Sequence, residues 1–419
     1  MKEKIIFHVD VNSAFLSWTA AYRMLVLGET EDLRTVPSVV AGERAERHSI
    51  VLAKSAPAKR YGITTGEPLG IALEKCPELT VVKPDYALYV RASRSFIALL
   101  REFSPCVEQY SIDEAWVDMT GSERLFGAPL FAAQQMSRRI ASELGFTVNI
   151  GISTNKLLAK VAGDFEKPNR IHTLFPWELA QKLWSLPVRD LFTVGRATEK
   201  KLHALGIRTV GQLAHSELAV LRKRLYSQGE LLWHFANGRC NDDLLTPPTD
   251  QKGYGNSVTT PWNVTTREEG RQVLLSLCET VGMRLRCDGK CASLIVLSLR
   301  TETFSDASRQ MLLPSATAAT EELYRAACAL FECLWDGKTP LRQLGVRAGR
   351  VTREACYQRS FFDTADYARR EKCDEAVDEL RRRFGEDAVM RAALLRGGIA
   401  GNLAGGLRTG ITKPIPEEK

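Results

Sequence analysis

Two adjacent acidic residues inside an apolar, β-prone segment constrain this chain more than any other feature. Asp113 and Glu114 lie within YSIDEAWVD, residues 110–118. Neighbouring side chains of a flat strand point to opposite faces. One site can therefore contain both carboxylates only if the chain turns or bulges near Ser111–Asp113, as at a hairpin tip. The alternative interpretation is a solvated hairpin tip without a function.

A third carboxylate, Asp10, ends a second strand-like run, IIFHV at residues 5–9. Three acidic side chains that converge repel one another unless cations neutralise them, and their hard oxygen ligands suit Mg²⁺. Two such ions, roughly 4 Å apart, can bind the attacking and leaving oxygens of phosphoryl transfer. The sequence therefore predicts a site for two Mg²⁺ ions formed by Asp10, Asp113 and Glu114.

Length and charge indicate a multidomain protein with a polyanionic partner. A chain of 419 residues is too long for one ordinary core, and about two to four domains are expected. The net charge of +7 favours a polyanion as the partner. The basic excess is sharper between residues 181 and 240, which contain ten Lys and Arg residues against four Asp and Glu residues.

Cysteine spacing and hydropathy exclude two further classes of protein. The ten cysteines include no CxxC pair, which argues against a zinc site and favours reduced thiols. The N-terminus has no signal-peptide pattern, and no apolar run approaches the roughly 20 residues of a membrane span. We therefore expect a cytoplasmic protein without a membrane partner.

The first 150 residues alternate strand and helix patterns, which predicts a mixed sheet covered by helices. The predicted strands are residues 4–11, 38–40, 49–54 and 146–152. The predicted helices are residues 12–27, 57–61, 86–103 and 129–144.

A lysine-rich helix follows. Ser153 or Thr154 is the expected cap of this helix, and Pro168 marks its expected end. Lys156, Lys160 and Lys167 project to roughly one side. Such a side is either a solvated lysine face or, next to three acids, a binding site for phosphate; we favour phosphate.

The remaining chain divides into three parts. Residues 183–240 are helical in character, and LFTVGRATEKKLHALGI at 191–207 looks like a helix-hairpin-helix, which binds DNA phosphate without reading sequence. A linker at 241–251 precedes a β-α-β-β-α-β pattern that predicts a compact α+β domain. One more helix is expected at 371–395.

Together these segments resemble the Y-family translesion DNA polymerases, specifically the bacterial DNA polymerase IV branch. The resemblance rests on four motifs in order: HVD at 8–10, YSIDEA at 110–115, GISTNKLLAK at 151–160 and KPN at 167–169. It implies a multidomain α+β fold with right-hand-like palm, fingers and thumb plus a C-terminal little finger. The implied divisions are palm 1–16 and 81–170, fingers 17–80, thumb 171–241, linker 242–251, little finger 252–355 and tail 356–419.

The resemblance also implies an activity, namely template-directed, low-fidelity addition of dNTPs to a primer 3′ end in translesion synthesis and DNA repair. It makes Asp10, Asp113 and Glu114, with the Val11 carbonyl, the ligands of two Mg²⁺ ions. The expected partners are primer–template DNA, dNTP and a sliding clamp, and the protein is expected to be a monomer.

The other residues to which the resemblance gives a role contact nucleotide, DNA or the clamp. Phe15 is the expected steric gate against the ribonucleotide 2′-hydroxyl, although ordinary core packing is the alternative. The remaining assignments are Lys59 and Lys167 for the triphosphate; Gly195, Arg196, Lys200 and Lys201 for DNA; and Gln358, Phe361 and Phe362 for the clamp.

Four residues depart from the family pattern. Ala56 and Ala14 stand where relatives often have aromatic residues, Lys59 where many have arginine, and Thr193 where a glycine usually supports the hairpin turn. Lysine cannot form the bidentate contact that arginine makes with phosphate. A weaker grip on the nucleotide or a different substrate preference is therefore expected, but not a loss of chemistry, because the three acids are intact. The alternatives are a catalytically silent DNA-binding homologue, a nucleotidyl cyclase with a palm-like fold, and a structural DNA clamp.

Overall fold

The computed structural model describes residues 4–42, 49–240, 244, 250–353, 367–385 and 388–395. These residues form two compact units, one that ends at residue 244 and one that begins at residue 250. Within the described residues, no helix is both long and apolar enough to cross a membrane.

The N-terminal unit contains three groups of elements. In chain order the first are β1 (Ile6–Val11), α1 (Ala14–Leu25), β2 (Ser38–Ala41), β3 (Val51–Lys54), α2 (Ala56–Arg60), α3 (Leu69–Lys75), β4 (Thr80–Val82) and α4 (Tyr86–Phe103). Next are β5 (Val107–Gln109), β6 (Glu114–Asp118), α5 (Glu123–Phe126), α6 (Pro129–Arg139, followed by a π-helical turn, Ile140–Leu144), β7 (Val148–Ser153), α7 (Lys156–Asp164) and β8 (Ile171–Thr173). The last are α8 (Leu179–Lys182), α9 (Arg196–Ala204), α10 (Val210–Ala214) and α11 (Leu218–Ala236), with 3₁₀ turns at Pro176–Glu178 and Val188–Asp190.

The mixed sheet predicted for the N-terminal region is confirmed. Its order is β5-β6-β1-β7-β8, in which β1 is central and antiparallel to both neighbours, while β7 and β8 are parallel. Phe7, Val9 and Val11 point into the core beneath α1, α4 and α6. The intervening residues of β1 point to the opposite face, which α7 covers.

A glycine allows α7 to lie directly on that face. A Cβ placed on Gly151 of β7 would lie 1.9 Å from the carbonyl oxygen of Ala159 in α7. Any side chain at this position would therefore push the helix away from the sheet.

A second, smaller sheet and a helical region complete the N-terminal unit. The sheet has the order β3-β2-β4, and its core is formed by Val39, Val51 and Ala58 with their neighbours. The helical region from α8 to α11 packs around Leu183, Leu202 and residues near them. The all-helical prediction for residues 183–240 is confirmed.

The C-terminal unit has the predicted β-α-β-β-α-β order. Its elements are β9 (Gly253–Val264), α12 (Arg267–Cys287), β10 (Cys291–Thr301), β11 (Asp306–Thr317), α13 (Thr320–Leu334) and β12 (Leu341–Thr352). The sheet is antiparallel in the order β11-β10-β12-β9. Thr266 and Glu269 form a capping box that starts α12.

Two predictions about helix ends are wrong. Asn155, not Ser153 or Thr154, caps α7, because Ser153 is the last residue of β7 and its hydroxyl donates to the Leu174 carbonyl. The helix also ends at Asp164, before Pro168.

The helix predicted at 371–395 is in fact two helices. They are α14 (Tyr367–Phe384) and α15 (Ala392–Leu395). Gly385 follows α14 with a φ of 100°, a conformation that favours glycine and cannot continue a helix.

A network of buried charges attaches α14 and α15 to α12. Arg286 of α12 donates to Asp374 at 3.2 Å and to Asp378 at 2.6 Å. Glu279 of α12 accepts from Arg381 and Arg391, and Arg391 also reaches Asp374. Among these side chains, those of Glu279 and Asp374 are 9% exposed. Charge pairing therefore contributes to this attachment, together with the burial of Leu394 of α15.

We predict that Asp374→Asn loosens α14. The substitution leaves Arg286 with an incomplete set of partners in a buried position, which costs on the order of 3 kcal/mol. Faster hydrogen exchange at residues 372–384 measures the loss. Glu379→Gln is the matched control, because Glu379 pairs with Arg383 at the exposed side of the same helix, where pairs contribute at most about 1 kcal/mol. Equal exchange in the two variants would contradict the prediction.

Candidate active site

The register of the central sheet places two of the three predicted acids side by side. Asp10 of β1 is directly opposite Glu114 of β6, and in an antiparallel pair such residues share a face. Asp113 precedes β6 in a bent segment, where the Tyr110 and Ser111 N–H groups both donate to the Glu114 carbonyl, at 3.0 and 3.2 Å. The turn that two neighbouring carboxylates require for a common site is therefore present.

Glu114 is held by two cationic or hydrogen-bonding partners on the face that α7 covers. Its Oε2 atom lies 2.9 Å from Nε2 of the buried His8 and accepts a hydrogen bond from Lys160 of α7. Burial acts to raise the pKa of Glu114, but the hydrogen bonds from His8 and Lys160 outweigh it and lower the pKa to about 2. Glu114 is therefore ionised at any physiological pH.

Asp113 experiences the opposite balance. Burial raises the pKa of Asp113; the hydrogen bond from the Ser111 hydroxyl, at 2.6 Å, opposes this, and the negative charges of Asp10 and Glu114 add to the increase. The three carboxylates are thus close enough to repel one another. A cation between them would relieve that repulsion.

Asp10 is paired with Lys167, which follows α7. Lys167 also contacts Asp164 at 2.8 Å. Burial acts to lower the pKa of Lys167, but the charges of Asp10 and Asp164 raise it above its ordinary value. Lys167 is therefore a permanent positive charge beside the carboxylates.

Two amide side chains, which the sequence analysis missed, hold the segment that carries Lys167. The buried Asn149 of β7 donates to the Gly163 and Glu166 carbonyls, at 3.1 and 2.6 Å, and accepts from the Asn12 amide at 3.0 Å. Asn12 in turn accepts from the Asn169 N–H at 2.9 Å. A single amide in the apolar run VNIGI, residues 148–152, was the available sequence signal.

The donor set fits a hard divalent cation, although the carboxylates face lysines in this structure. Within the described residues, no three His, Cys, Asp or Glu side chains are arranged as a preformed metal site. Asp10, Asp113 and Glu114 offer only oxygen atoms, which suits Mg²⁺. The Val11 N–H donates to the Asp113 carbonyl at 3.0 Å, so Val11 adjoins the same group.

Phe15 lies on the first turn of α1, the helix that follows β1. Its ring stacks on Tyr89 with centroids 4.5 Å apart and planes 9° apart, and meets Tyr86 edge-on. The ring is half-buried, so packing fixes its orientation while part of it remains accessible. Both interpretations of Phe15, core packing and steric gate, are compatible with this position.

The lysines predicted to bind phosphate separate into different environments. Lys167 lies beside Asp10, whereas Lys59 is exposed on α2, in the smaller sheet region. The phosphate-binding interpretation is wrong for Lys156, because its ammonium is buried against Glu108 at 3.0 Å and lies 5.2 Å from the centre of the Trp116 ring.

The predicted hairpin presents an exposed helix N-terminus. Gly195 is the N-cap of α9 and provides no side chain to bond the first N–H groups of the helix. Arg196, Lys200 and Lys201 are exposed on the same helix. Backbone N–H groups and positive charges at a helix N-terminus suit phosphate. The clamp-binding assignment, Gln358, Phe361 and Phe362, lies outside the described residues.

Three family models match the chain. The model described as impB/mucB/samB family matches residues 9–164, the IMS family HHH motif matches 177–207, and the impB/mucB/samB family C-terminal domain matches 251–361. The second match includes residues 191–207, the segment predicted to form a helix-hairpin-helix. The helix α14 begins beyond the third match.

Curated relatives match along nearly their whole length. DNA polymerase IV of Clostridium acetobutylicum is 42% identical over 94% of this chain and 98% of that protein. DNA polymerase IV 2 of Bacillus subtilis is 36% identical over 94% of this chain and 95% of that protein.

A solved structure shows the same fold. A Y-family DNA polymerase chimera aligns with a TM-score of 0.70 at 21% identity and covers 84% of this chain and 100% of that chain. The expected fold class is confirmed: a multidomain α+β fold with right-hand-like palm, fingers and thumb plus a C-terminal little finger.

We predict that Thr193→Gly stabilises the hairpin. Thr193 has a φ of 72°, in the left-handed region, where a β-branched residue is strained and glycine is not. Relief of that strain contributes on the order of 1 kcal/mol. A higher midpoint in denaturant-induced unfolding measures the gain. Thr209→Gly is the control: Thr209 caps α10 from an extended conformation, so its loss should not stabilise the protein. A lower midpoint for Thr193→Gly would refute the strain argument.

Proposed function

The chain belongs to the impB/mucB/samB family, and we propose that it is a template-directed, low-fidelity DNA polymerase that acts in translesion synthesis and DNA repair. The observation that carries the proposal is the grouping of Asp10, Asp113 and Glu114 at adjoining ends of β1 and β6, with Lys167 beside them. The near full-length similarity to bacterial DNA polymerase IV proteins supports the same activity.

The proposed reaction joins a primer 3′-hydroxyl to the α-phosphate of a dNTP, with release of pyrophosphate. Asp10, Asp113, Glu114 and the Val11 carbonyl would hold two Mg²⁺ ions, which when bound supply positive charge for phosphoryl transfer. The low pKa of Glu114 keeps that carboxylate available as a ligand without loss of a proton.

Lys167 and Phe15 position the nucleotide in this proposal. Lys167 offers a positive point charge to the triphosphate, and the Asn12–Asn149 hydrogen bonds hold its segment at the ends of β1 and β7. Phe15, fixed by its stacking on Tyr89, excludes a ribose 2′-hydroxyl. Lys59 on α2 is assigned to the triphosphate as well.

The proposal assigns the contacts with DNA to the thumb. Gly195, Arg196, Lys200 and Lys201 would contact backbone phosphates through N–H groups and positive charge, which gives sequence-independent binding. We retain the division into palm 1–16 and 81–170, fingers 17–80, thumb 171–241, linker 242–251 and little finger 252–355. The proposal also includes a monomer that works in the cytoplasm and a sliding clamp that binds residues 358–362.

No observation of comparable specificity supports the competing functions. A silent DNA-binding homologue or a structural clamp would not need three mutually repelling carboxylates at the adjoining ends of two inner strands. A nucleotidyl cyclase would not need the exposed thumb hairpin.

We predict that Asp113→Asn abolishes primer extension on an undamaged primer–template with Mg²⁺. Loss of one of the three negative charges of Asp10, Asp113 and Glu114 should lower the rate of primer extension by roughly 10³-fold or more. Glu108→Gln is the control, because Glu108 lies on β5 and pairs with Lys156 outside the carboxylate group. A wild-type protein that binds the duplex but adds no nucleotide would favour the silent homologue.

Phe15→Ala should admit ribonucleotides that the wild type rejects.

We also predict that Ala56→Tyr combined with Lys59→Arg lowers the KM for dNTP. A bidentate arginine contact and an added hydroxyl should strengthen nucleotide binding by about 1 kcal/mol, or about fivefold. Steady-state extension at varied dNTP measures the change. Arg60→Lys is the control, because it exchanges arginine and lysine at a neighbouring exposed position of α2. An unchanged KM would show that these departures do not weaken the grip on the nucleotide.

A further inference from the structure

Lys160 contacts both one of the three clustered acids, Glu114, and the hairpin turn before α9. Its ammonium donates to Glu114, lies 5.2 Å from the centre of the Tyr110 ring and lies 5.4 Å from the centre of the Phe192 ring. Tyr110 belongs to the bend before β6, whereas Phe192 belongs to the turn before α9. The Lys160 side chain is only 12% exposed. One buried ammonium therefore contacts both a proposed metal ligand and the proposed DNA-binding hairpin.

Lys156 provides a comparison one helical turn earlier. It pairs with Glu108 and lies 5.2 Å from the centre of the Trp116 ring, so its chemistry is the same as that of Lys160. Both of these partners belong to the central sheet. The contact with Phe192 distinguishes Lys160.

The contacts of Lys160 depend on one another because they share a single flexible side chain. Attraction between an ammonium and a ring face falls as the two move apart or admit water. Displacement of Phe192 would expose the ammonium and weaken its hold on Glu114. Loss of the Glu114 charge would equally release Lys160 from its place under Phe192.

We propose that Lys160 is a positioning residue that couples the hairpin turn, residues 191–195, to the orientation of Glu114. Binding of a DNA backbone at the hairpin then favours the Glu114 orientation seen here, and this orientation favours DNA binding by the same factor, because such coupling is reciprocal. The proposal rests on the proposed function in that the ligand of the hairpin is duplex DNA.

Hydrogen exchange without DNA, metal or nucleotide tests the physical link. Glu114→Gln should speed exchange at the Val194 amide, which donates to the Leu191 carbonyl at 3.0 Å within the turn. An increase of roughly threefold or more is expected. Glu108→Gln, which affects the Lys156 pair instead, should leave this amide unchanged. Equal exchange in the two variants, whether fast or slow, would overturn the proposal.

A double-mutant cycle on duplex affinity tests the functional consequence. Binding is measured by fluorescence anisotropy in EDTA, so that neither metal nor catalysis contributes. Phe192→Leu and Glu114→Gln should each weaken binding roughly threefold, and together no more than the weaker-binding single variant, because both break the same link. The effects of Phe192→Leu and Glu108→Gln should multiply. Multiplication in both cycles would overturn the proposal.

Variants of Lys160 separate positioning from general stability. Lys160→Arg retains a cation that can contact both Glu114 and a ring, so duplex affinity should stay within about twofold of the wild type. Lys160→Met retains length without charge and should match Glu114→Gln. Similar losses of duplex affinity in Lys160→Arg and Lys160→Met would indicate that Lys160 acts through packing alone. If the wild type binds no duplex, the proposed function fails, while the exchange experiment still decides whether the link exists.

Discussion

Repulsion among three carboxylates at one end of a sheet is the constraint on which the rest of the N-terminal unit depends. Asp10 and Glu114 share a face by register, and Asp113 adjoins them through the bend before β6. Their mutual repulsion is offset by cations on α7 and just after it, Lys160 and Lys167. The helix must therefore lie close to the sheet, and this explains why a glycine, Gly151, stands beneath its backbone.

The two faces of β1 have different roles: one packs into the hydrophobic core, and the other carries Asp10. Phe7, Val9 and Val11 enter the main core, so the strand cannot shift by one residue without exposing them and burying Asp10. Hydrophobic burial thus fixes the register, and the register fixes which carboxylates meet. The ion pairs need not supply much net stability themselves, because desolvation of buried charges offsets most of their attraction.

Local patterns predicted elements better than contacts between distant parts of the chain. The helix at Tyr86–Phe103 and the order of the C-terminal unit follow from hydrophobic periodicity and caps, which lie within a few residues of one another. The failures involve partners far apart in sequence. Ser153 could not cap α7 because its hydroxyl is taken by Leu174, 21 residues away, and the pairing of Lys156 with Glu108 spans 48 residues. Asn149 was missed for the same reason, since its partners lie 14 and 17 residues away.

The lysine pairs also explain how one arrangement can serve the protein with and without its ligands. A buried carboxylate without a cation is costly, so three of them without ligands need substitutes. Lys160 and Lys167 provide positive charge on flexible side chains, and a lysine ammonium, unlike a guanidinium, makes no fixed bidentate contact that must be broken. A divalent cation would therefore replace the Lys167 ammonium beside Asp10 at modest cost, whereas a triphosphate, as an anion, would pair with that ammonium. In the proposed function, Lys167 beside Asp10 is the positive charge that binds the nucleotide triphosphate.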